Sequence, residues 1–380
     1  MRFVVAPDSF KECAPASVVA RSIAEGLAKA QPHAIVDIVP MADGGEGTVD
    51  SLVTATGGTI IDLEVTGPLG DPVLATYGLL GDGSTAVIEM AAASGLALVP
   101  AARRNPLVTT TRGTGELLCD ALDRGVSRII IGIGGSATND GGAGAAQALG
   151  YSLLDEDGQE LPVGGAALAR LARIDATRKH RGLAACEILV ACDVANPLCG
   201  QDGASAVYGP QKGATPEMVR ELDDALRHFA EVAAKQMNVH VENLPGAGAA
   251  GGLGAGLVVF TGAHLKPGVE IIADAFGLAS RIEGADLVIT GEGRLDGQSV
   301  KGKTPVGVAR IAKRLGVPCV AIAGALGPGF EAVYREGVTA AFSLCTGPMS
   351  SEYAMENVES LLASAGEAVG RLWTAARGES

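Results

Sequence analysis

The chain has 380 residues, 47% of them apolar and 19% charged, so it can bury an extensive core and is no disordered acidic tail. Its 43 acidic side chains against 29 basic ones leave a formal charge of −14, which argues against nucleic acid or an anionic membrane as a partner, since both require a basic face. The length fits two or three domains of roughly 150 residues, and 54 glycines with no Gly-X-Y period indicate a loop-rich globular protein.

Short apolar runs alternate with helical periodicities, the pattern of an α/β fold built on a Rossmann-like, largely parallel sheet. Phe3–Ala6 reads as a buried strand, followed by a helix to about Ala30 with Val19, Ile23 and Leu27 on one face. Ile35–Val39 is the next strand and Glu46–Thr56 the next helix, closed by Gly57 and Gly58. Leu74–Leu80 and Ala86–Met90 are strand-like with no helix between them, and Ile129–Ile133 is a further strand. Tyr151–Leu154 enters the turn Asp155-Glu156-Asp157-Gly158, a hairpin signal. After the strand Ile188–Cys192, Thr215 and Pro216 start a helix with Val219, Leu222, Leu226, Phe229 and Ala233 as its seam. Regular alternation resumes with the strand Leu287–Thr290, a helix from Pro305, the strand Cys319–Ala323, a helix near Glu331 and the strand Thr339–Leu344. A last helix spans Glu352–Ala376. The expected division is a Rossmann-like α/β domain of residues 1–66 plus 284–380, interrupted by a mixed α/β domain of residues 67–283.

The seven cysteines form no Cys-x-x-Cys pair and the five histidines no His-x-x-x-His, so the composition points to neither a zinc site nor a disulfide framework. The apolar start Phe3-Val4-Val5-Ala6 is too short for a secretory leader, and every apolar run breaks before the length of a bilayer span. These features predict a cytoplasmic protein.

Three glycine motifs differ in weight. Gly246-Ala247-Gly248-Ala249-Ala250-Gly251 fits Gly-x-Gly-x-x-Gly, but roughly one such match arises by chance at this glycine content. No strand precedes it, so a loop entering a tightly packed Gly/Ala helix is the stronger reading. Gly132–Ala137 fits Gly-x-Gly-x-x-Ala directly after a strand, which keeps open an NAD-dependent dehydrogenase of a small hydroxy acid. Its continuation through Gly134, Gly135, Ser136, Asn139, Asp140, Gly141 and Gly142 suits a small polar ligand or a phosphate equally well. Gly297-Gln298-Ser299-Val300-Lys301-Gly302-Lys303-Thr304 matches the P-loop pattern, with a chance expectation of only about 0.02. Thr304 is the expected N-cap of the helix behind it, and that helix start with Lys303 makes an anion site. The loop lies too far from Thr290, however, for a P-loop NTPase fold.

Ligands of open α/β sheets gather at the carboxyl ends of the strands. Asp8, Ser9 and Lys11 follow the first strand; Asp43, Gly44, Gly45, Glu46 and Thr48 follow the second. Asp193, Asn196 and later Lys212 follow Ile188–Cys192, and Glu292, Arg294 and Asp296 follow Leu287–Thr290. Each segment alone has a structural explanation, such as Asp43 capping a helix or Asp193 bracing its own turn. Together they combine oxygen ligands for a hard cation with cationic and backbone donors for anions, which points to a phosphate- or nucleotide-handling enzyme. Gly-x-Ser-x-Gly is absent and no histidine follows a strand end, which disfavours Ser/His/Asp hydrolysis. A sugar-acid or nucleotide-binding protein without chemistry would leave the acid cluster unexplained.

Several longer stretches carry a family resemblance. Ala6-Pro7-Asp8-Ser9-Phe10-Lys11, Pro40–Thr48, Ile88–Leu96, Thr110–Glu116, Gly134–Gly142, Gly203–Thr215 and the run from Gly291 to Pro305 together resemble the type I glycerate kinase family over essentially the whole chain. One departure is Glu12-Cys13, where the family pattern has Gly-Ser. The resemblance implies ATP-dependent phosphorylation of D-glycerate in a two-domain α/β fold with the site in the cleft between domains, and it makes the P-loop match a phosphate or substrate loop.

Chemistry then assigns expected roles on that reading. Phosphoryl transfer to a hydroxyl of glycerate, with Mg²⁺ on the ATP phosphates, relies on positioning and charge stabilisation; the resemblance favours 2-phosphoglycerate as product, and the residues themselves leave the 2- and 3-hydroxyls open. Arg294 is the expected clamp for the substrate carboxylate, and Asp193 the expected base or metal ligand. Asp8, Asp43 and Asp296 compete for metal or hydroxyl groups; Lys11, Lys212 and Lys303 are candidates for the phosphates. Ser9, Gly44, Gly45, Glu46, Gly134, Gly135, Ser136, Asn139, Asp140, Glu292 and Thr304 complete the expected site.

Overall fold

Phe3, Val4 and Val5 are fully buried, and the strand they belong to, Arg2–Val5, lies within a five-stranded sheet. The spatial order is Val338–Ser343, Cys319–Leu326, Leu287–Leu295, Arg2–Val5, Ile35–Ile38, and every neighbouring pair is parallel. In chain order this is a doubly wound 2-1-3-4-5 sheet, whose direction of winding reverses between Arg2–Val5 and Leu287–Leu295. This computed structural model describes residues 1–45 and 47–378.

The helix Ala16–Ala30 follows Pro15 and buries Val19, Ile23 and Leu27, as the periodicity predicts. These pack with Phe3, Val5, Ile289, Ile322 and Leu362 into one core. The helix expected over 352–376 is two helices, Ser351–Glu356 and Val358–Arg377. The second of these buries Val358, Leu362, Ala363, Gly366, Val369 and Gly370, whereas Leu372 is exposed. The expected helix near Glu331 is a short 3-10 segment, Phe330–Glu336.

A second sheet has the order His264–Lys266, Glu187–Ala191, Arg128–Gly132, Thr85–Glu89, Pro72–Leu79, Thr59–Thr66. Its first four strands run parallel, and the last two complete an antiparallel meander. Tyr77, Ile88, Leu117, Ile131, Phe229 and Phe260 lie in the core of this unit. The turn at residues 155–158 is present, closed by the Asp155 and Gln159 backbones. The strand Ser152–Leu154, however, pairs along its length with Arg173–Asp175.

The chain therefore divides into two compact units, residues 1–43 with 269 onward, and residues 44–268. This differs from boundaries at 66/67 and 283/284, and strand pairing supplies the reason. Thr59–Thr66 pairs over its full length with Pro72–Leu79, which fixes it in the second sheet. Among the described residues, no helix is long and apolar enough to cross a membrane, and all seven cysteines are free.

Candidate active site

In the first unit, the strand expected to end at Thr290 continues to Leu295, paired with Cys319–Leu326 along that extension. Glu292 and Arg294 are thus strand residues with the same facing, since side chains alternate with period two. Asp8 leaves the neighbouring strand, its N–H bonded to the Gly291 carbonyl. Asp8 therefore lies just past the carboxyl end of Arg2–Val5, where the winding reverses, and Glu292 lies on the stretch of the adjacent parallel strand that extends beyond that end.

Asp8 is only 8% exposed. Its Oδ1 accepts the Ser9 N–H at 2.6 Å and its Oδ2 accepts the Thr304 hydroxyl at 2.6 Å. Burial pushes the carboxyl up to about 7, helped by the negative charge of Asp43, while those two hydrogen bonds oppose the rise. Glu292 is raised as well, mainly by burial. One of its oxygens accepts the buried Ser299 hydroxyl at 2.6 Å, and the other faces Lys303 Nζ at 3.4 Å. Lys11 Nζ lies 3.9 Å from Asp43. Arg294 donates from Nε to Asp296 at 3.2 Å and is otherwise largely exposed. Asp296 is held low chiefly by the Gln298 backbone N–H.

A cavity of about 640 Å³ is lined by Asp8, Ser9, Lys11, Asp43, Glu292, Arg294 and Lys303 among others. Thr304 is the first residue of the helix Thr304–Arg314, and Lys303, in extended conformation, holds the N-cap position. The threonine hydroxyl serves Asp8 instead of the helix end. Ser299, which sequence reasoning missed as a site residue, orients Glu292. The P-loop match itself could have singled it out, because it places that hydroxyl between two glycines next to the helix start.

In the second unit, the loop after Arg128–Gly132 runs through residues 133–142 before the short helix Ala143–Ala148 begins. Gly134 and Gly135 are exposed at its tip. Ser136 bridges to Gly95, and Asn139 and Asp140 are fully buried. Asp140 accepts from Thr111 N, Thr111 Oγ1, Gly142 N and Gly144 N, so it organises the loop from inside. Burial raises this carboxyl despite those donors. Lys212 is also buried, and its Nζ donates to Ser136 Oγ at 2.8 Å and to the Thr138 carbonyl at 2.6 Å. Burial depresses the ammonium to about 7, against the pull of Asp140. Its charge is taken up inside the unit, away from solvent.

The Gly246–Gly251 motif is explained by packing. Ala250, Gly251 and Gly252 adopt left-handed conformations, and a Cβ on Gly251 would lie 2.0 Å from the Thr138 carbonyl oxygen. The glycine lets this segment support the 133–142 loop, and no dinucleotide is needed to account for it. Gly44 passes against the second sheet, where a Cβ would approach that of Ala191 to 2.3 Å. The Gly45 carbonyl accepts the Thr48 hydroxyl, and Glu46 lies outside the described residues. The described helix here is Thr48–Thr56, with Val49 N–H bonded to Glu89 Oε1 from the end of a strand. Asp193 is exposed in the second unit, its Oδ1 accepting the Gly268 N–H at 2.9 Å.

The structure thus gathers Asp8, Ser9, Lys11, Asp43, Glu292, Arg294, Lys303 and Thr304 in the first unit. Gly44, Gly45, Gly134, Gly135, Ser136, Asn139, Asp140, Asp193 and Lys212 belong to the second. Among the described residues, no group of three His, Cys, Asp or Glu side chains is close enough to hold a metal ion unaided.

A sequence profile described as the glycerate kinase family matches residues 3–374. The chain is 56% identical over 359 residues to glycerate kinase of Halalkalibacterium halodurans, covering 94% of each chain. It is 54% identical over 346 residues to glycerate 2-kinase of Escherichia coli, covering 91% of each. Among solved structures, it superimposes with a TM-score of 0.92 and 51% identity on a crystal structure assigned as glycerate kinase 2 from Salmonella typhimurium LT2, covering 100% of this chain and 99% of the other.

Proposed function

The chain belongs to the glycerate kinase family, and from that premise we propose that it transfers the γ-phosphoryl group of ATP to a hydroxyl of D-glycerate, with chemistry centred on Asp8. The observation that carries this assignment is a buried carboxyl at the winding switch point, held by Ser9 and Thr304, with carboxylates and lysines around it in one cavity. Phosphoryl transfer asks the protein mainly to position its reactants and stabilise charge, and a base matched to the working pH completes the set.

Each Asp8 oxygen already accepts one hydrogen bond and keeps a second acceptor site. Asp8 takes the proton of the substrate hydroxyl as that oxygen bonds to the γ-phosphorus and the bond to the β-phosphate oxygen breaks, releasing ADP. Thr304 and Ser9 hold the carboxylate in place. Lys303 and Lys11 face the phosphate oxygens, and the Arg294 fork, with donors beyond its Nε contact to Asp296, takes the substrate carboxylate. The mutual repulsion of Asp8, Asp43 and Glu292 fits a hard cation, and Asp43 and Glu292 are the carboxylates that would hold it together with nucleotide phosphates. Mg²⁺ held there would neutralise phosphate charge. The buried Lys212, Asn139 and Asp140 are assigned to shaping their loop, and Asp193 to the backbone at Gly268.

The 2-hydroxyl is the proposed acceptor, supported by the glycerate 2-kinase of Escherichia coli at 54% identity. A coupled ADP-release assay with ATP, Mg²⁺ and D-glycerate tests the activity, and ³¹P NMR of the product tests the position. Folded protein that releases no ADP with glycerate would refute the proposal, and a 3-phosphoglycerate signal would refute its regiochemistry.

A further inference from the structure

The cavity beside Asp8 is too large for a three-carbon acid alone; its volume of about 640 Å³ falls in the range of sites for much larger ligands. Its wall also changes character. Away from the carboxylates it is formed by Phe10, Leu344, Met349, Ala354 and Met355. Phe10 and Leu344 are buried members of the sheet core, so this part of the wall is rigidly backed. Met355 stands over it on the helix Ser351–Glu356 with 41% of its surface exposed, and Met349 is half-buried. Cys13 Sγ, 3.6 Å from the Met355 carbonyl, ties the segment after Asp8 to that helix.

We propose that this apolar wall receives the nucleoside of the ATP substrate, whose phosphates then extend toward Lys303, Lys11 and Asp8. The inference rests on the kinase reading and deepens it. A half-exposed methionine is a poor partner for water and a good one for a planar aromatic base, because its thioether is polarisable and adapts its rotamer. The wall is continuous with the phosphate-handling groups: Phe10 is two residues from Asp8, and both line one cavity. A ligand with an apolar plane at one end and a polyanion at the other matches that sequence of surfaces. Glycerate, polar at every carbon, does not match the methionine wall.

The test compares wild type with Met355→Ala and with the double variant Met349→Ala/Met355→Ala, measuring ADP affinity by calorimetry and inhibition of turnover by inorganic tripolyphosphate. The half-exposed positions make both variants foldable, and circular dichroism verifies it. The expected result is ADP binding weakened about tenfold in the double variant, with the tripolyphosphate inhibition constant unchanged because that ligand carries no nucleoside. Unchanged ADP affinity overturns the assignment, as does a rise confined to the KM for glycerate. Wild-type protein that turns over ATP and glycerate while its variants keep full ADP affinity refutes the nucleoside site alone. Wild-type protein that binds no ADP and shows no turnover refutes the kinase reading and this inference with it.

Discussion

Replacing Asp8 with asparagine should cut activity by at least two orders of magnitude and stabilise the fold, and the size of the second effect follows from the site. Asp8 is buried and its carboxyl is displaced from 3.8 to about 7. The folded chain therefore holds this proton more tightly than the unfolded chain. The carboxyl's favourable contribution is complete below 3.8 and is lost as pH rises through 7. At about 1.36 kcal/mol per pH unit, the ionised group costs the fold on the order of 4 kcal/mol at pH 8 and under about 1 kcal/mol at pH 4. Asparagine keeps an oxygen for Ser9 N–H, meets the rotatable Thr304 hydroxyl with its amide and carries no charge. Urea denaturation in EDTA should show Asp8→Asn more stable than wild type at pH 8, with the gap closing toward pH 4. In the coupled assay the variant should lose roughly 10²–10⁴ in kcat/KM. An Asp8→Asn protein that is less stable at pH 8, or that turns over within tenfold of wild type, would refute the reasoning.

Asp193→Asn retains an oxygen for the Gly268 N–H, so its kcat should stay within about tenfold of wild type; a loss of two orders of magnitude with the fold intact would restore Asp193 as an acid–base group. Glu12 has φ +61°, a left-handed conformation that strains any residue with a Cβ, so Glu12→Gly should raise stability by about 1 kcal/mol. A lower melting temperature would show that its side chain more than offsets the strain. Gly26→Ala installs a better helix former, favourable by about 1 kcal/mol in isolation. Its Cβ, however, would sit 1.9 Å from the Ala363 carbonyl oxygen, where the helices Ala16–Ala30 and Val358–Arg377 cross. Thermal denaturation should therefore show a net loss of about 2 kcal/mol or more, and a gain would mean that this crossing relaxes freely.

Strand ends in the first sheet were legible because buried parallel strands are continuous apolar runs, and polar residues must follow them. That pattern picked out Asp8 and Asp43 from one-dimensional information, and it flagged Glu292 although that residue lies within its strand. The long motifs from Ala6 to Pro305 carried the family resemblance for the same reason: loops at strand ends hold chemistry in a fixed local order. What local order does not contain is pairing. Thr59–Thr66 alternates like any half-buried strand, and only its hydrogen bonds to Pro72–Leu79 assign it to the second sheet. The strand through Gly291–Leu295 is likewise held by Cys319–Leu326, a neighbour distant in sequence. Burial is the other quantity set at a distance. Lys11, Lys212 and Lys303 look alike as lysines near glycines, yet folding encloses Lys212 with Ser136 and Thr138 and leaves Lys11 and Lys303 at the cavity. Asp8 and Asp193 look alike as acids after strands. Asp8 is desolvated beside Asp43 and its carboxyl is pushed up to about 7, whereas Asp193 stays exposed and holds a backbone N–H. Residue type set which chemistry was available to this chain; desolvation and the proximity of like charges, which exist only once strands are paired, decided which acids are buried and perturbed and which stay exposed.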